Sequence, residues 1–279
     1  MAFRKAIRGR ITAGGKPGKS GLNASTGGKI RRHAGTIPTA YWRVNGVASD
    51  STTLVDSSKA GHSLNGTLEG TIEESGADAT WNTTGLLPGS HQSLYFNGSN
   101  NKVTVPYNAL FKPDNAIKKL TVSMWIKTTG NQRMILICEE DANPGTAGWF
   151  YSAVGAQFAN KANGYWSTAV NPGSSWRAGT SDVNDNNWHN LVFIRDGDSI
   201  LKIYVDGELE LQYTDQSGDW LLNNVPLLIG SRTNFGAKFY KFFMDEIAYW
   251  TDIALTDDQV KDMYNNGKVL DIHAGVLRN

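Results

Sequence analysis

The chain has 279 residues, 40% of them hydrophobic and 19% charged, with one cysteine and a formal net charge of +1. That hydrophobic share supports a substantial core, no apolar run approaches the roughly 18 residues of a membrane-spanning helix, and a lone cysteine excludes an intramolecular disulfide or a cysteine metal cluster. The near-neutral total conceals a split: ten of the 27 basic residues and none of the 26 acidic ones precede Asp50.

Residues 1–38 are rich in Gly, Lys, Arg, Ser and Thr and poor in large apolar side chains. Such a composition cannot bury enough surface to offset ordering entropy, so it predicts an extended arm that gains order only on contact with a partner. Its cations are Arg4, Lys5, Arg8, Arg10, Lys16, Lys19, Lys29, Arg31 and Arg32. Before Tyr41 the arm holds Phe3 as its only aromatic residue, which disfavours single-stranded nucleic acid and favours an acidic protein surface, including the acidic remainder of neighbouring copies. Met1 to Arg8 lacks the apolar stretch of a secretory signal, so signal-directed export is not expected.

From Thr39 onward short alternating runs separated by turn residues predict antiparallel strands. In Leu120-Thr-Val-Ser-Met-Trp-Ile-Lys127, Leu120, Val122, Met124 and Ile126 share one face. Thr121, Ser123 and Lys127 share the other, and the large ring of Trp125 among them predicts cover from a sheet edge or a neighbouring loop. Residues 191–213 read as a three-strand meander with Asp196-Gly197 and Asp206-Gly207 as tight type I′ turns. Further strands are expected at Tyr41–Val44, Ser93–Phe96, Lys102–Val105, Arg133–Cys138, Pro226–Ile229 and Lys241–Trp250, with Cys138 as a buried thiol. Glu139 to Asn187 is poorly periodic and predicts the longest loops. Near the end, Thr256-Asp-Asp-Gln259 is a capping box, and Val260, Met263 and Tyr264 fall on one helical face that packs on the strands, with Gly267 as its terminator.

Seven segments in order resemble the laminin-G-like jelly rolls of the concanavalin A-like lectin and glucanase superfamily. They are Tyr41-Trp42 with Leu54-Val-Asp56-Ser-Ser and Gly61-His-Ser-Leu; Ser93-Leu-Tyr-Phe-Asn-Gly98 with Val103-Thr-Val-Pro106; Leu120–Ile126; Asn187-Trp-His-Asn-Leu-Val192; Ile203-Tyr-Val-Asp-Gly207; Leu228-Ile-Gly230; and Met244-Asp-Glu-Ile-Ala-Tyr249. The resemblance covers roughly 39–267, with Asn97 where the family has Asp, and implies an all-β, two-sheet antiparallel jelly-roll sandwich over 39–279 behind the arm. It also implies a structural Ca²⁺ held by Asp56 and Asp245 with backbone oxygens.

Catalysis is not expected. Glycoside hydrolysis needs two carboxylates flanking the bond, and the chain offers Glu139-Glu140-Asp141 and Asp245-Glu246, which read as solvated loop carboxylates. His33, His62, His91, His189 and His273 are scattered without metal spacing, and the Gly-Gly pairs at 14–15 and 27–28 lack the strand and helix of a phosphate loop. Sugar stacking or subunit contact points instead to Trp149, Phe150, Tyr151, Tyr165, Trp166, Trp176 and Trp220. Taken together, the arm and the sandwich resemble virion structural proteins, above all a capsid decoration subunit held on a major capsid protein by residues 1–38, in homo-oligomeric form. The alternative is a glycan-binding adhesin or tail-fibre lectin that meets a host glycan, and a hydrolase ranks last.

Overall fold

The computed structural model describes residues 37–45, 48, 51–71, 80–83, 86–131, 134–140, 148–153, 160–166, 175–197, 200–214, 219, 224–232, 240–271 and 276–277. All of them belong to one unit, Arg31–Asn279. The nine arm cations from Arg4 to Arg32, and Trp220, lie outside the described residues. Among the described residues no helix is long and apolar enough to cross a membrane.

In chain order the strands are β1 (Ala40–Trp42), β2 (Thr53–Leu54), β3 (Gly66–Glu69), β4 (Trp81–Asn82), β5 (Ser93–Asn97), β6 (Lys102–Val105), β7 (Leu120–Lys127) and β8 (Met134–Glu140). Then come β9 (Gly148–Ala153), β10 (Lys161–Trp166), β11 (Ser175–Asp182), β12 (Trp188–Asp196), β13 (Ile200–Val205), β14 (Glu208–Thr214), β15 (Leu227–Ile229), β16 (Lys241–Thr251) and the helix α1 (Asp257–Tyr264). They build two eight-stranded sheets, one ordered β14-β13-β12-β7-β16-β5-β4 with β1 paired to β16, the other β11-β10-β9-β8-β15-β6-β3-β2. The core lies between them: Leu120, Val122, Met124, Ile126, Leu191, Phe193 and Met244 of the first sheet meet Val103, Val105, Leu136, Leu227 and Ile229 of the second. Burying each such side chain contributes about 1.5–3 kcal/mol.

The alternation in β7 is as expected, but its polar face is not open to water, for Thr121, Ser123 and Trp125 are all buried. The cause is the C-terminal segment, which roofs that face. Thr121 Oγ donates to the Ile253 carbonyl (2.9 Å) and accepts from the Leu255 amide (3.1 Å). Val260 and Met263 of α1 pack with Val192, Ile194, Tyr204 and Trp250, and the Trp125 ring stacks on Tyr264 at 5.7 Å. The capping box of Thr256 and Gln259 forms. The helix ends earlier than expected, because Asn265 rather than Gly267 takes the first left-handed conformation, at φ 47°.

Two other expectations are corrected. Asp206 and Gly207 both have positive φ, as a type I′ turn requires, but at the other turn only Gly197 does, and Asp196 still pairs with Ile200. The extra residues make that connection longer. Between Glu139 and Asn187 the chain forms β9, β10 and β11 rather than loops alone. Gly, Ala, Asn and Ser at their pairing positions erase the alternation that marks a strand in sequence.

Candidate functional site

The acidic residues are not solvated. Glu139 is 1%, Asp245 0% and Glu246 4% exposed, while Asp141 lies outside the described residues. Glu139 sits in β8, and a bulge in β16 between Asp245 and Ala248 breaks the alternation that would have sent Glu246 outward. Glu246, at φ 50° in that bulge, lies 3.3 Å from Nε of Arg43. Glu139 and Glu246 thus stand on different strands, β8 and β16.

Asp56 and Asp245 are likewise satisfied separately. Asp56 Oδ1 accepts from the amides of Tyr41 (3.1 Å) and Ser58 (2.9 Å), and its Oδ2 accepts from Leu64 (3.0 Å). The three partners described for this carboxylate are all backbone N–H groups, so it clasps the opening segment. Asp245 Oδ1 accepts from the amides of Glu246 (2.8 Å) and Val44 (3.3 Å), while Oδ2 accepts from the Ser90 hydroxyl (2.6 Å). Ser90 Oγ is also 2.7 Å from the Gln92 carbonyl and 3.4 Å from Asn45 Oδ1. One hydroxyl proton faces three oxygen acceptors, and that oxygen-rich arrangement fits a hard cation. Burial pushes the Asp245 carboxyl up to about 7, against the lowering effect of Ser90, the Glu246 and Val44 amides and Arg43. A carboxylate so placed needs a proton or a cation beside it. Among the described residues no three His, Cys, Asp or Glu side chains gather as a metal group; the set at Asp245 has one carboxylate and neutral oxygens.

His189 is pinned between carboxylates, with Nδ1 2.8 Å from Asp206 Oδ2 and Nε2 3.0 Å from Asp185 Oδ1. Burial lowers its pKa, but the hydrogen bonds and charges of Asp206 and Asp185 outweigh this and raise it. Both ring nitrogens are committed, so the imidazole fixes the β13–β14 turn and is not placed as a catalytic base.

The aromatic residues converge. Register sets Trp149 of β9 opposite Trp166 of β10, and in the next row, on the other face of the sheet, Phe150, Tyr165 and Trp176 occupy adjacent positions across β9, β10 and β11. Tyr151 faces Gly164, whose other neighbour is Arg177. Tyr165 and Trp176 have ring centroids 5.3 Å apart and pack, half-buried, on Ile135, Cys138 and Leu228, away from the main core. Residues separated by loops in sequence thus occupy three adjacent strands ending at a sheet edge. Arg177, which the sequence did not single out, follows Trp176 on the opposite face of β11: its Nη1 donates to the Trp176 carbonyl (2.6 Å), and its guanidinium stands 3.7 Å from the centroid of the Tyr213 ring in β14. Only its neighbour Trp176 signals it.

A laminin-G family model described as the concanavalin A-like lectin/glucanases superfamily matches residues 97–261. No curated protein matches the chain. Among solved structures it resembles the binding domain of Paraclostridial Mosquitocidal Protein 1, with a TM-score of 0.58 at 14% identity over 82% of this chain and 52% of that one. The binding domain of botulinum neurotoxin DC is similar in two complexes. With SialylT the TM-score is 0.57 at 13% identity, covering 84% of this chain and 52% of that one. With rat synaptotagmin II it is 0.57 at 14%, covering 83% and 52%. The chain spans about half the length of these structures, and at such identity the likeness speaks for the fold.

Proposed function

The chain belongs to the concanavalin A-like lectin/glucanases superfamily, and on that footing we propose that it is a non-catalytic binding module of the adhesin type, which takes a glycan on the aromatic surface of β9–β11. The observation that carries this reading is the row of Phe150, Tyr165 and Trp176 across three neighbouring strands at a sheet edge, with the Tyr165 and Trp176 rings packed together outside the main core. Flat rings supply apolar area for sugar faces. The reading is supported by fold neighbours that are receptor-binding domains, one of them solved with SialylT. The engagement of Asp56 by three amides, of Asp245 by Ser90 and two amides, and of Glu246 by Arg43 supports the absence of a hydrolytic pair. On a glycan array the full chain is expected to retain a restricted set of glycans, and Tyr165→Ala or Trp176→Ala to weaken retention by about tenfold. An array with no retained glycan removes the proposal.

A structural calcium ion is proposed at Asp245, with Ser90, Asn45 and the Gln92 carbonyl as neighbouring oxygens; bound there, it would neutralise the buried carboxylate and tie the opening segment to β16.

A second reading, a virion structural subunit such as a capsid decoration protein, is favoured by the segregation of ten cations and no anions before Asp50. A host particle protein or a neighbouring copy would hold the arm. Deleting residues 1–38 is then expected to abolish incorporation into particles while the sandwich stays folded; incorporation at the full-length level overturns it.

A further inference from the structure

β11 and β14 are the end strands of their sheets, and they lie against each other on one side of the sandwich. An end strand presents unpaired N–H and C=O groups to any extended chain that approaches. Both strands are bulged here. In β14, Ile203 pairs with Leu211 and Tyr204 with Leu209, which leaves Glu210 as the extra residue. In β11, Lys161 pairs with Asp182 and Asn163 with Ala178, so residues 179–181 stand opposite Ala162 alone.

The two bulges face each other, and a single carboxylate joins them. Glu210 Oε2 accepts from the amide of Thr180 at 2.8 Å, and both oxygens accept from the amide of Ser181 at 3.1 and 3.2 Å. Gly179 makes the approach possible, since a Cβ there would lie 2.3 Å from Glu210 Oε2. Arg177 on the Tyr213 ring is a second tie between the same strands. A bulge re-aims a side chain, and this one aims an acidic group at the backbone donors that strand addition would use.

We propose that Glu210 is an edge guard that denies β11 to a second copy of this chain. Without it, two consecutive amides on an end strand lose their acceptor, and the matching edge of another copy is the nearest supply. The guard does not depend on what the aromatic surface binds.

The test compares full-length wild type with Glu210→Ala and with Gly179→Ala, which displaces the carboxylate without altering it. Sedimentation velocity over a concentration series and amide hydrogen exchange at Thr180 and Ser181 are the readouts. Both variants are expected to exchange at these two amides about tenfold faster or more and to form a larger, concentration-dependent species beyond that of wild type. Glu210→Gln keeps an acceptor and is expected to remain closer to wild type. Unchanged exchange overturns the clasp, and faster exchange with wild-type sedimentation overturns the guard. If Glu210→Ala fails to fold, Gly179→Ala decides the matter alone.

Discussion

Asp56→Ala is expected to lower stability by about 3 kcal/mol with or without calcium, whereas Asp245→Asn, which keeps an oxygen for the Glu246 and Val44 amides, is expected to abolish the response to calcium. The Asp56 carboxylate is the acceptor for three backbone amides, Tyr41, Ser58 and Leu64. Each donor left without an acceptor costs about 1–3 kcal/mol, with solvent reaching these part-buried groups and holding the sum near the lower end. Asp245 stands in a different environment, where its own oxygen, the Gln92 carbonyl and Asn45 Oδ1 are three oxygens gathered round the Ser90 hydroxyl. With a single carboxylate, calcium affinity belongs to the weak range of about 0.1–1 mM. Calcium at about 10 mM then adds roughly 1.4–2.7 kcal/mol, a rise in melting temperature of about 2–5 °C for a chain of this size. EDTA reverses the rise, and Asp245→Asn loses it while Asp56→Ala keeps it. A calcium response that survives Asp245→Asn puts the ion elsewhere, and no response in wild type removes it.

The largest loss is expected from one methyl group. Gly230 follows β15 at φ +81°, and a Cβ there would stand 2.1 Å from a ring carbon of Phe96. That ring is already stacked on Phe242 at 4.7 Å between centroids, and the Gly230 amide donates to Leu136 O at 2.9 Å. Neither neighbour has room to withdraw. Gly230→Ala therefore combines left-handed strain with overpacking, together about 3–5 kcal/mol, read as a drop of roughly 5–8 °C in melting temperature. Gly197→Ala is the control. It shares the positive φ, +68°, but has nothing within 4 Å of the added carbon, so about 1 kcal/mol of strain alone is expected. Equal losses in the two variants would show that contact with Phe96 does not set the cost.

These positions also mark how far the sequence could be read. Leu228-Ile-Gly230 was visible as a motif, and the close approach of Phe96 explains in physical terms why the third residue is glycine. β7, β12 and β13 were legible because one face of each is core and the period of two survives. β9–β11 were not, since Gly164, Ala162 and Asn163 carry no alternation and pairing alone makes them strands. The aromatics were legible as residues, but their convergence was not, because register between distant segments decides it. The burial of Glu139, Asp245 and Glu246 was hidden for a similar reason. A β16 bulge and the partner Arg43, about 200 positions away in the chain, account for Glu246. Glu210 was hidden most completely, for its role exists only where two edge bulges meet.

Hydrogen exchange of the chain with and without its best-retained glycan tests the central claim most directly. The account predicts slowed exchange in 148–153, 161–166 and 175–182, the strands that set Phe150, Tyr165 and Trp176 in one row. Protection confined to other strands, with these three unchanged, would contradict it.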